Sequence, residues 1–255
     1  MTYPEATIDV VLGQLGEGMS QAEISRRTGI SRAAIRAWGR GRVPKRAGRG
    51  RRHGPNERMT CELIQLAASP AYAYLLGLYL GDGCISRMPR DVFRLRITCC
   101  DAYPHLMDLC QEAVEVVMPS NKVSRTHRIG CTDVGSSSKH WPCLFPQHGP
   151  GPKHKRRIVL TRWQNDIVRE NTQEFLRGLV HSDGCRCINR VTNRLGQRYE
   201  YPRYLFTNAS DDIRNLFCWS CDLLHVEWRV MNSRTISVNK RADVAFLDGF
   251  IGAKT

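Results

Sequence analysis

No stretch of the 255 residues comes near the roughly 18 consecutive apolar residues of a membrane span. Met1 to Gly18 carry Glu5, Asp9 and Glu17 and no base, so a secretory leader is not expected. No glycine-rich loop of the nucleotide-cradling kind is present. No Cys–His pairing has the Ser or Asn partner of nucleophilic catalysis, and splice-junction residues are missing, which excludes an intein. Lysine is scarce, at 7 residues against 31 arginines. Acid is also short: 24 Asp and Glu face 38 Lys and Arg, a formal net charge of +14. That balance favours a polyanion over a small acidic substrate. The guanidinium fork suits phosphates and guanine edges. A membrane surface is the weaker partner, since no basic amphipathic segment stands out. The 11 cysteines are an odd number without an export signal, so reduced thiols in a cytoplasm are expected. A bacterial protein associated with the nucleoid fits these features.

Bases are concentrated. From Gly39 to Arg58, eight bases (Arg40, Arg42, Lys45, Arg46, Arg49, Arg51, Arg52, Arg58) face one acid, Glu57, among several glycines and prolines. Such a stretch cannot bury a core. Residues 43–60 therefore read as a basic flexible linker suited to tracking phosphates. Ahead of it, residues 1–42 form a small helical unit. Ser20 and Glu23 have the spacing of a capping box, Gly29 that of a left-handed turn, and Ser31 caps a second helix. Ile24, Ile30, Ile35 and Trp38 make one apolar set. The pattern resembles the helix-turn-helix of DNA-binding domains. That resemblance implies Ser31, Arg32 and Arg36 at base edges, with Arg40 and Arg42 on the backbone.

Beyond the linker, two similar segments lie 101 residues apart: Leu75-Leu-Gly-Leu-Tyr-Leu-Gly-Asp-Gly83 and Leu176-Arg-Gly-Leu-Val-His-Ser-Asp-Gly184. Each reads as a short helix ending at Asp-Gly. Gly77 with Gly81, and Gly178 with Ser182, put small residues four apart on one face, so two such helices can pack backbone to backbone. Gly83 and Gly184 suit left-handed helix caps. Close packing would bring Asp82 and Asp183 together at two negative helix ends, an arrangement that calls for divalent cations. The offset persists downstream: Lys139 and Lys240, Phe145 and Phe246, Gly151 and Gly252, Lys153 and Lys254.

These paired segments resemble the LAGLIDADG homing endonucleases in their single-chain, two-repeat form. The resemblance covers about residues 70–255, with Leu80 and His181 departing at a position where Asp is common. It implies an α+β fold: two αββαββα half-domains, 61–170 and 171–255, forming a pseudo-dimeric DNA saddle behind the all-α helix-turn-helix. It implies a monomer that acts on double-stranded DNA with Mg²⁺, Asp82 and Asp183 as metal ligands, and Lys153 and Lys254 assisting. Lys155 is a fallback for Lys153, and His181 would alter the second site. Arginine-rich strands would face DNA through Arg94, Arg96, Arg186 and Arg190, joined by Arg125, Arg128, Arg194 and Arg198. Two rivals stay open: a non-cleaving transcriptional regulator on the same fold, and an RNA-directed maturase.

His127, Cys131, His140, Cys143 and His148 have the donor types of a structural Zn²⁺ site. Cys218-x-x-Cys221 falls among Ile213, Leu216, Phe217 and Leu223, and reads as core. Trp141, Trp163, Trp219 and Trp228 also read as core.

Overall fold

A computed structural model describes residues 5–41, 69–193, 195–252 and 254. They fall into two compact units on either side of the undescribed stretch 42–68. Arg42, Lys45, Arg46, Arg49, Arg51, Arg52 and Arg194 lie outside the described residues. No described helix is long and apolar enough to cross a membrane.

The first unit holds three helices: α1 (Glu5–Gly16), α2 (Gln21–Thr28) and α3 (Arg32–Gly39). Ser20 accepts from the Glu23 N–H and Ser31 from the Ala34 N–H, so each hydroxyl satisfies a donor the helix start leaves open. The reciprocal half of the capping box is absent. The Glu23 carboxylate turns instead to Arg26 and Arg27. Gly29 closes α2 at φ +69°, the left-handed geometry its position requires. The core joins Ile24, Ile30, Ile35 and Trp38 with Ile8 and Val11 of α1.

The second unit begins with α4 (Pro70–Asp82), which Ser69 caps. Every side chain from Tyr72 to Leu80 is buried, so this helix is hydrophobic all round and runs through the interior. After it come β1 (Gly83–Arg87), β2 (Phe93–Cys100), α5 (Pro104–Val117), β3 (Val123–Arg128), β4 (Cys131–Ser138) and the single turn α6 (Trp141–Leu144). A connecting helix, α7 (Arg162–Glu170), leads to the second copy. That copy comprises α8 (Thr172–Asp183), β5 (Gly184–Thr192), β6 (Arg198–Thr207), α9 (Asp211–Leu223), β7 (Arg229–Asn232), β8 (Thr235–Val238) and α10 (Arg241–Ile251). The two antiparallel sheets share one topology, β1-β2-β4-β3 and β5-β6-β8-β7. One apolar cluster, running from Tyr72 to Ile251, joins both halves. The expected α+β double repeat is therefore the observed fold.

Each strand sends alternate side chains to opposite faces. In the first sheet Leu95, Ile97 and Val134 enter the core. The register puts Cys84, Ser86, Arg94, Arg96, Thr98, Ser124, Thr126 and Arg128 on the other, open face. In the second sheet Tyr204, Phe206, Ile236 and Val238 enter the core. Cys185, Cys187, Asn189, Tyr201 and Arg203 share its open face.

Candidate active site

Helices α4 and α8 meet backbone to backbone. A Cβ on Gly77 would stand 2.5 Å from the Phe175 carbonyl oxygen and 2.7 Å from the Leu179 nitrogen. On Gly178 it would run into the Tyr74 carbonyl, and on Gly81 into the Ser182 side chain. The small-residue stripes do what their spacing predicts. Gly83 and Gly184 correct an expectation. Both are extended, at φ −87° and −98°, and begin strands rather than cap helices in the left-handed region. They are glycine for space: a Cβ would lie 2.5 Å from Tyr79 Cα in one case and 2.8 Å from Val180 Cα in the other.

This crossing brings Asp82 and Asp183 to one place at the negative ends of two helices. Burial, and after it the charge of Asp183, push the Asp82 carboxyl up to about 6. Burial also raises Asp183, against an Asn208 Nδ2–H that donates to its Oδ2 at 2.6 Å. Two lysines oppose both carboxyls. Lys153 Nζ donates to the carbonyls of Tyr79 (2.6 Å) and Gly81 (2.7 Å). Lys254 Nζ donates to those of Ser182 (3.4 Å) and Gly184. Burial lowers both ammonium groups against the opposing pull of the aspartates, leaving Lys153 at about 8. Gly151 and Gly252, each two residues before its lysine, both sit at φ +75°. The repeat in sequence is thus a repeat in backbone. Asp183 and Lys153 lie along a cleft of about 600 Å³, lined also by Gly149–Pro152, Asn208 and the start of β1.

Solved structures of LAGLIDADG homing endonucleases are this chain's structural neighbours. The homing endonuclease I-DmoI, in complex with DNA and Mn, is 16% identical over 74% of this chain and 99% of its own, with a TM-score of 0.45. The LAGLIDADG meganuclease I-AabMI, bound to uncleaved DNA, is 12% identical over 71% of this chain and 82% of its own, at 0.47. The meganuclease I-SmaMI, bound to uncleaveable DNA, is 11% identical over 73% and 85%, at 0.44. No protein-family profile and no curated protein matches the chain.

The remaining sequence candidates divide. Ser31, Arg32, Arg36 and Arg40 are exposed on or beside α3 in the first unit. Arg94 and Arg96 lie on the open face, Arg94 against Ser124 and Thr126, and Arg96 against Cys84 and Ser86. Arg186 and Arg190 do not. They share the core-side parity of Tyr204 in their sheet, Arg186 paired with Asp248 of α10 and Arg190 with Glu200. Arg125 likewise turns to Asp108 and Gln111 of α5. Arg203 occupies the place in the second sheet that Arg94 holds in the first: each pairs with the residue three after its Asp-Gly glycine. Asn208 and Arg203 were missed because neither has a counterpart at the 101-residue offset.

His181 is no part of the cleft lining. Its Nε2 faces the Ile251 carbonyl at 2.9 Å, which can only accept, so Nε2 carries the proton. Its Nδ1 then accepts from the Tyr74 hydroxyl at 3.0 Å. Burial pulls this histidine down to about 4, so it stays neutral and ties the end of α10 to the central helices. The zinc expectation also fails. Among the described residues, no three His, Cys, Asp or Glu side chains gather to hold a metal. His127 instead meets Thr132, and His148 packs edge-on against Phe93. Cys221 is fully buried and Cys218 nearly so, as a core role requires.

Proposed function

We propose that this protein is a site-specific, Mg²⁺-dependent endonuclease for double-stranded DNA, of the LAGLIDADG type, acting as a monomer whose two halves mimic a dimer. The observation that carries the reading is the pairing of Asp82 with Asp183 where α4 and α8 end, each half bringing its own lysine. Two carboxylates whose pKa values burial raises, one of them raised also by the other's charge, are poorly placed as structure. They are well placed as oxygen donors for a hard divalent cation, which would relieve both desolvation and repulsion. Mg²⁺ keeps much of its water and needs few protein ligands, which suits a site with two. When bound, the cation supplies Lewis-acid stabilisation of charge on a phosphate.

The chain's own residues do the rest. Lys153 and Lys254 present ammonium groups beside the carboxylates and offset charge that builds on a phosphodiester. With its pKa held near 8, Lys153 also holds a proton that it can release near neutral pH. Asn208 fixes the rotamer of Asp183. The open faces supply Arg94 and Arg96 in one half and Arg203 in the other for phosphates and base edges. The first unit adds a helix-turn-helix, with Ser31, Arg32 and Arg36 toward bases and Arg40 and Arg42 toward phosphates. The basic stretch with Lys45, Arg46, Arg49, Arg51 and Arg52 adds charge for phosphates.

The three-helix unit favours one rival, a transcriptional regulator that binds without cutting. A randomised duplex library incubated with the full chain, with and without Mg²⁺, separates them. The nuclease reading expects cuts at one recurring sequence only when the metal is present. Recovery of bound, uncut duplex under both conditions would leave the regulator.

A further inference from the structure

The two lysines of the cleft are held differently. Lys254 donates to the carbonyls of Ser182 and Gly184. Lys153 rides on a loop of its own, a short 3₁₀ turn over Lys153–Lys155. That loop is tied back by Arg156. One guanidinium nitrogen of Arg156 donates to the carbonyls of Gly149, Pro150 (3.3 Å) and Gly151 (2.8 Å). Three carbonyls converging on one cation form a closed clamp around the segment just before the lysine. The charge of Arg156 also lies against the Tyr79 hydroxyl, opposing the rise that burial imposes on it. The Tyr79 ring, in turn, carries the Lys153 ammonium 5.1 Å from its centroid, and the Tyr79 carbonyl accepts from it. Arg156, Tyr79 and Lys153 form one chain of contacts from loop to helix end.

We infer that Arg156 is the positioning residue for Lys153, and that the first half of the site depends on this clamp. The inference rests on the nuclease reading and deepens it. A loop of glycines and prolines has no helix or strand to fix it. Without the clamp the ammonium would wander, and displacement by about 1 Å is enough to slow a reaction by about 10²-fold. Because Lys153 belongs to the first half, losing the clamp should slow one strand of the duplex and spare the other.

The test compares strand-resolved cleavage by the full chain with Mg²⁺ for the natural protein, Arg156→Gln, Lys153→Met and the double variant. Arg156→Gln should yield nicked duplex. It should spare the same strand as Lys153→Met, and the double variant should be no slower than Lys153→Met alone. Acylation footprinting of the metal-free chain gives a second readout. Lys153 should label more slowly than its exposed neighbour Lys155 in the natural protein, and the difference should close in Arg156→Gln. If Arg156→Gln does not fold, Arg156→Lys, which keeps the charge but loses the fork, takes its place in both assays. Equal slowing of both strands, or additive loss in the double variant, would overturn the clamp while leaving the nuclease intact. A natural protein that cuts neither strand would overturn the nuclease reading itself.

Discussion

The two aspartates are buried carboxyls held above their ordinary pKa, and that is measurable. A carboxyl whose pKa is raised on folding binds its proton more tightly in the native state than in the unfolded chain. Its contribution to stability is therefore present below about pH 4 and lost as pH rises through about 6 for Asp82. At pH 7.5 without metal, Asp82→Asn should stabilise the protein by on the order of 1–2 kcal/mol, read as a higher Tm. The same substitution should abolish most of the Tm increase that Mg²⁺ gives the natural protein. A fall in Tm for the metal-free variant would contradict this account. The same groups set the pH profile of cleavage. At subsaturating Mg²⁺, activity should rise through about pH 6, as Asp82 ionises and can take the metal, and fall above about pH 8 as Lys153 loses its proton. A flat profile from pH 5 to 9 would count against both roles. Asp82, Asp183, Lys153 and Lys254 were legible because each stands in a repeat, and coincidence does not preserve an offset through four positions. Asn208 was not, because the same offset sets Met107 against it, and Arg156 was not, because its role rests on a loop conformation that no sequence spacing marks.

The helix crossing depends on the absence of side chains. Gly77→Ala would drive a methyl into the backbone of α8, so it should destabilise by about 3 kcal/mol or more in urea unfolding and separate the two carboxylates. Unchanged stability would mean that the helices stand further apart than described. At this scale the central helices followed from their repeat and Asp-Gly boundaries, and the order of helices and strands along the chain from the family resemblance. The facing of the second sheet did not. Arg186 and Arg190 look like a DNA face by charge, yet parity counted from Gly184 puts them on the side of Phe206 and Asp248. Applying the first-half rule, in which the residue after the glycine faces outward, would have chosen Cys185 and Cys187. Helix α7 also escaped notice. Its signal was the Thr161–Gln164 capping box, in which Gln164 Oε1 accepts from the Thr161 N–H at 3.0 Å. The hairpin Gly29 and the caps Ser20 and Ser31 were readable because turn chemistry is local.

Across the whole molecule, the halves share a fold but not a surface. The first sheet shows Arg94, Arg96, Ser124 and Thr126 on its open face; the second shows Asn189, Tyr201 and Arg203. Arg94→Ala and Arg203→Ala should each weaken DNA binding and lower the salt slope of log K by about 1 if the side chain meets a phosphate. Arg186→Ala should leave that slope unchanged, since its guanidinium is held by Asp248. The net charge of +14 was legible from composition, whereas the division of labour between the sheets needed the strand register. The most direct test of the central claim separates cutting from binding on one duplex. The site selected from the randomised library is offered to the natural protein and to Asp82→Asn/Asp183→Asn, with Mg²⁺. The account predicts that the natural protein cuts both strands and that the double variant binds the site but leaves it whole. Cleavage by the double variant at an undiminished rate would contradict it.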